Sequence, residues 1–118
     1  MDEVLSVLKR ARERLAKSGA WTRGAYSRDA NGCAGLARFE LSAVCWCAIG
    51  AARAEVFAHD ASERIVSEYA VTGALSDTLH ARGYQGPLYC FNDEQASVEP
   101  ILALYDETIA RLESEQKP

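Results

Sequence analysis

Most of the residue patterns that announce a function are missing from this chain. It has two histidines in 118 residues. It contains no H-E-x-x-H, no G-x-S-x-G and no glycine-rich phosphate loop, so the zinc-metalloprotease, nucleophile-elbow serine hydrolase and P-loop signatures are all missing. No apolar run reaches the roughly 20 residues that a membrane-crossing helix needs. Positive charge is also short: the net charge is −4, which works against a polyanionic partner. Four cysteines stand at 33, 45, 47 and 90 without a C-x-x-C. Cys45 and Cys47, two apart on a helix, would point about 200° from each other and could not share a metal. Reduced thiols, no metal and no cofactor are therefore expected. Met1-Asp2-Glu3 lacks the basic-then-apolar order of a secretory leader, so the expected location is cytoplasmic, with no membrane association.

What is present suits a small globular protein. Hydrophobic residues make up 48% and charged residues 25% of the chain, enough for one core. The expected organisation is a single helical domain over residues 1–118, with 114–118 as a disordered tail. The apolar stretch Val44-Cys45-Trp46-Cys47-Ala48-Ile49-Gly50-Ala51-Ala52, small or apolar on every side of a helical wheel, reads as a buried central helix from Ser42, its N-cap, to about Ala58. Its alanines and Gly50 would let neighbours approach closely.

Around that axis, Val4, Leu8, Ala11 and Leu15 recur at helical spacing and predict a first helix from Asp2 or Glu3 to Lys17, closed at Gly19. Trp21 to Tyr26 suits an extended segment, followed by a tight turn through Asp29, Asn31 and Gly32. Cys33 to Glu40 reads as a loop. Ile65, Tyr69, Val71, Leu75 and Leu79 predict helix from Glu63 to Arg82, bent or broken at Gly73. Gly83, Gly86 and Pro87 stop it. Leu88 to Phe91 reads as a short extended run, able to pair with Trp21 to Tyr26. Val98, Ile101, Leu102, Tyr105, Ile109 and Leu112 predict a closing helix that starts near Ser97. The fold class that follows is mainly α: a four- to five-helix bundle around a buried central helix, with one short β pair.

Charge is uneven along the chain. Residues 1–30 carry seven basic and four acidic side chains, and residues 31–118 carry six and thirteen. The basic residues Lys9, Arg10, Arg12, Arg14 and Lys17 lie opposite the apolar stripe of the first helix, where a solvated face is expected. Nucleic acid is disfavoured as a partner.

Four pieces of the sequence belong together. Trp21-x-x-Gly24-Ala25-Tyr26-x-Arg28-Asp29-x-x-Gly32, Cys47-Ala48-Ile49-Gly50-Ala51, Phe91-Asn92-Asp93 and the closing helix resemble a family of small bacterial and phage proteins known only as a domain of unknown function. The resemblance covers about residues 5 to 112. Phe91 stands where the family's pattern has Trp, Ile49 where it has Leu, and Ser97-x-x-Pro100 where it has a Thr-x-x-Glu capping box. The resemblance implies an architecture and a bacterial or phage setting, and it brings no activity.

Chemistry, if any, would centre on Arg28, Asp29, Asn92 and Asp93, with Trp21, Tyr26, Tyr89 and Phe91 around them. Gathered together, they could bind a small anionic ligand or position a water, with Asp29 and Asp93 as an acid–base pair. Alternatively, Asp29 shapes a turn, Asn92 or Asp93 caps a helix, and Arg28 satisfies backbone at the loop junction. Cys47 reads as a small buried hydrophobe rather than a nucleophile. With no complete catalytic set, the favoured reading is a small intracellular binding or interaction module of phage or mobile-element type, contacting a protein partner or assembling with itself. The alternative is a small-ligand-binding protein or hydrolase built on the Arg/Asp/Asn/Asp cluster.

Overall fold

A computed structural model describes residues 3–37, 41–58 and 67–115. The elements run α1 (Glu3–Ala16), β1 (Ser27–Asp29), β2 (Ala34–Gly35), β3 (Ala43–Trp46), α2 (Ala48–Val56), α3 (Glu68–Ala81), α4 (Leu88–Glu94) and α5 (Glu99–Glu115). The architecture is mainly α with a small antiparallel sheet, as the sequence patterning predicts.

Aliphatic side chains on three helices make most of the core. Leu8 and Leu15 from α1, Val71, Leu75 and Leu79 from α3, and Ile101, Leu104 and Tyr105 from α5 are all buried. These sit at i, i+3, i+4 and i+7 spacings, so each helix presents one apolar face. α1 packs on α2 and α5, and α3 packs on α5. The short α2 is central, with Ala48, Ala51 and Ala52 fully buried. Its small residues bring backbones together, although the closest neighbour is not a helix. A Cβ at Gly50 would overlap the carbonyl oxygen of Tyr26 and stand 2.7 Å from its carbonyl carbon.

Several local expectations are corrected. The central helix does not begin at Ser42: Ala43–Trp46 is strand β3, and the helix starts only after Cys47. Trp46 donates its N–H to Ala20 O at 2.7 Å and accepts from Thr22 N at 3.0 Å. Those bonds hold it extended beside the segment at residue 20. A short apolar run cannot be assigned to helix or strand by periodicity alone.

Leu88 to Phe91 is the reverse case. It belongs to helix α4, with Pro87 at its N-cap and the Pro87 carbonyl accepting from Cys90 N and Phe91 N. Proline removes no needed hydrogen bond at a helix start. The expected pairing of Trp21–Tyr26 with Leu88–Phe91 therefore does not form. The sheet has the order β2-β1-β3, with Ser27 opposite Gly35 and Trp46.

The remaining differences are smaller. α3 passes through Gly73 as one element, and Tyr69 faces outward at 77% exposure instead of joining the core stripe. α5 begins at Glu99, two residues past Ser97, and continues to Glu115, so Ser114 and Glu115 are helical rather than tail. The stretch 33–40, expected as a loop, contains strand β2; its last three residues, the start of the third helix at Glu63, the stripe residue Ile65 and the last three residues of the chain lie outside the described residues. Among the described residues, no helix is long and apolar enough to cross a membrane.

Candidate functional site

Asn92 is the centre of a polar hub. It sits on α4, fully buried, and uses both halves of its amide. Oδ1 accepts from Trp21 Nε1 at 2.8 Å and from Ala48 N at 2.9 Å. Nδ2 donates to Thr22 O at 3.2 Å and to Asp93 Oδ1 at 3.0 Å. Two acceptor positions and two donors are the full capacity of the side chain. One amide thus ties α4 to the Trp21–Thr22 segment and to the first N–H of α2, which has no partner within its own helix.

Asp93 extends the hub. Its Oδ1 also accepts from Gly24 N at 3.0 Å, where the backbone takes a φ of 79°, a conformation that glycine adopts without steric cost. Cys47 completes the start of α2 as its N-cap, with its Sγ accepting from Gly50 N at 3.3 Å. Burial pushes the Cys47 thiol above its ordinary pKa. The group is therefore neutral near pH 7, unlike an activated thiolate. Cysteine is an uncommon helix cap, so sequence reading placed this residue in a helix interior.

Arg28 and Asp29 take up separate positions. Each of the three Arg28 guanidinium nitrogens donates within the loop: Nε to Thr22 Oγ1 at 3.1 Å, Nη1 to Gly32 O at 3.1 Å and Nη2 to Arg23 O at 3.0 Å. Asp29 Oδ1 accepts from Asn31 N and Cys33 N, both at 2.9 Å, a side-chain-closed turn. The fold therefore brings Trp21, Asn92 and Asp93 together and links Arg28 to them through Thr22, while Asp29 serves its own turn. Phe91 turns toward Tyr84, edge to face, with ring centroids 5.4 Å apart. Tyr26 carries the Arg53 guanidinium 4.2 Å from its ring centroid.

Beside the hub lies a cleft of about 220 Å³ lined by Gly24, Ala25, Tyr26, Cys47, Tyr89 and Asp93. Three distant stretches of sequence meet there. They do so because α4 is a helix, which sets Tyr89 and Asp93, four residues apart, on one face. Reading residues 88–91 as extended obscured that pairing.

A second, larger groove of about 430 Å³ runs along α1 past Lys9, Arg10, Arg14, Lys17 and Trp46. Its charge is partly neutralised from within. Glu55 accepts from Arg10 Nε at 3.0 Å and pairs with Arg14 Nη2 at 2.7 Å, and the Arg14 guanidinium lies 4.5 Å from the Trp46 ring centroid. Among the described residues, no three His, Cys, Asp or Glu side chains converge as a metal site would require, and the four cysteines are free thiols.

These features define a mainly helical protein with a short antiparallel sheet and a polar hub that opens on a small cleft. The chain belongs to a family of unknown function (DUF6197), whose model matches residues 1–111. Comparison with curated proteins and with solved structures finds no match.

Proposed function

We propose that this protein is a small intracellular binding module that engages a partner protein through the cleft between the Gly24–Tyr26 segment and α4. One observation carries this reading: the polar residues best suited to chemistry are committed to holding the fold, and beside the hub they build lies an open recess that, of that cluster, only Asp93 lines. Asn92 has every hydrogen-bonding position filled, Arg28 donates to its own loop, and Asp29 closes a turn. A hydrolase built on Asp29 and Asp93 would need both carboxylates facing one substrate, and their hydrogen bonds belong to different loops.

The size of the cleft supports the same choice. About 220 Å³ falls below the roughly 300–1,000 Å³ usual for cofactors and drug-sized ligands. It suits one anchoring side chain of a macromolecule, the kind of pocket around which interface energy concentrates. The groove on α1, where Arg10 and Arg14 are paired with Glu55 and Lys9 with Glu113, gives little support to phosphate-backbone binding, which depends on several free cations.

Site-specific crosslinking tests the reading. A photo-crosslinking amino acid in place of Tyr89, at the mouth of the cleft, is expected to form a discrete adduct with a protein partner in the native host. The same amino acid in place of Tyr69, exposed on α3, is expected to form none. Equal adducts from both positions would remove the cleft from the interface. Native mass spectrometry adds a check: a retained small molecule, lost on denaturation, would favour the ligand-binding alternative.

A further inference from the structure

We infer that the group this cleft receives is the cationic end of a lysine or arginine side chain on a partner protein, an inference that rests on the binding-module reading above. Asp93 is, among the described residues, the one charged side chain lining the cleft. Its hydrogen bonds from Gly24 N and Asn92 Nδ2 both fall on Oδ1. They hold the carboxylate in place and leave Oδ2 for an incoming donor. Asn92 is itself fixed by three further bonds, so the carboxylate is anchored from the buried side and its orientation is set before anything binds.

The aromatic walls point to the same chemistry. Tyr89 is 54% exposed, and Tyr26 already holds one guanidinium, that of Arg53, against its ring. A ring face beside a carboxylate attracts ammonium and guanidinium groups and repels anions. Two cations stand next to the lining residues, and both are engaged elsewhere: Arg28 turns its three nitrogens to Thr22, Arg23 and Gly32, and Arg53 donates to Leu36 O and pairs with Glu68 at 3.2 Å. A metal ion would find one carboxylate here and too few further ligands. A free amine would gain only one carboxylate and a half-exposed ring, whereas a side chain presented by a protein adds the contacts of the surface around it. The occupant is therefore a residue of a partner.

Amide shifts of the labelled protein, titrated with capped pentapeptides Gly-Gly-X-Gly-Gly, test this. With X as lysine or arginine, saturable shifts at Gly24, Ala25 and Tyr89 are expected, and with X as norleucine or glutamate they are not. Asp93→Asn keeps an Oδ1 to accept from Gly24 and Asn92 but removes the charge, and is expected to weaken the lysine peptide about three- to fivefold, the range of a part-exposed ion pair. Tyr89→Ala, at an exposed position, is expected to weaken it independently.

Norleucine or glutamate peptides binding as well as lysine, or an unchanged affinity in Asp93→Asn, would overturn the inference. n-Butylammonium binding as tightly as the lysine peptide would overturn the assignment to a partner protein. Crosslinks from position 89 without any peptide shift would refute the cation while sparing the binding-module reading. The loss of both would refute both.

Discussion

The helical core and the hub around Asn92 are built on different terms. In the core, Leu8, Leu15, Leu75, Leu79, Ile101 and Leu104 are buried by many weak contacts, none of which depends on a single angle. In the hub, the one side chain of Asn92 supplies the acceptor for Trp21 Nε1 and Ala48 N and donors for Thr22 O and Asp93. Nondirectional burial tolerates exchange among residues of similar volume. A buried amide with four partners does not, because each abandoned partner keeps its desolvation cost. Both regions contribute to stability, and the second also sets the geometry of the cleft beside it.

The hardest test of that contrast lies where the two regions touch. At Gly50, an added methyl would collide with the Tyr26 carbonyl, and both α2 and the strand segment are held by other bonds. Gly50→Ala is expected to cost about 3 kcal/mol or more, at the upper end for overpacking, measured by urea unfolding. A parent-like midpoint would show that the segment at Tyr26 can move away from α2.

A matched pair of substitutions that keep the number of side-chain heavy atoms sharpens the comparison. Asn92→Leu leaves two donors, Trp21 Nε1 and Ala48 N, without their acceptor and is expected to cost about 2–4 kcal/mol. Leu75→Met in the core is expected to cost less than about 1.5 kcal/mol. Equal losses in the two variants would erase the distinction between the regions.

The smallest effect is a dependence on pH. Burial raises the Cys47 thiol, so above the ordinary thiol value of about 8.5 the unfolded chain releases a proton that the folded protein keeps. Stability then falls as pH rises through that range. Cys47→Ser retains an N-cap oxygen and lacks the thiol, so its urea midpoint should fall less between pH 7 and pH 9.5. Identical slopes would show that the thiol titrates alike in both states.

How much of this was legible in advance follows the same division. The stripes of α1 and α5 announced themselves because a 3.6-residue period over four turns has few competing explanations. The turn at Asp29, Asn31 and Gly32 was readable for a similar reason, since its hydrogen bonds are local. Asn92 and Asp93 were picked out as candidates, and so was the possibility that they serve the fold. Trp21 was placed beside them, but their backbone partners were not legible, because Thr22, Gly24 and Ala48 lie 44 to 70 residues away and nothing in local spacing encodes such contacts. Val44–Trp46 and Leu88–Phe91 were assigned the wrong way round. Each is a short apolar run whose propensity is weak, and each was decided by what stands beside it: the segment at residue 20 for the strand, and Pro87 at the helix start for α4.

By itself, then, the sequence determined the helices with a sustained apolar period, the glycine and asparagine turns, and the mainly α class, because those depend on residues within a turn or two of one another. Tertiary structure alone decided where the central helix begins and that Asp93, Tyr89 and Cys47 face one cleft. Those outcomes rest on hydrogen bonds between distant segments, and only the folded chain brings the two ends of such a bond together.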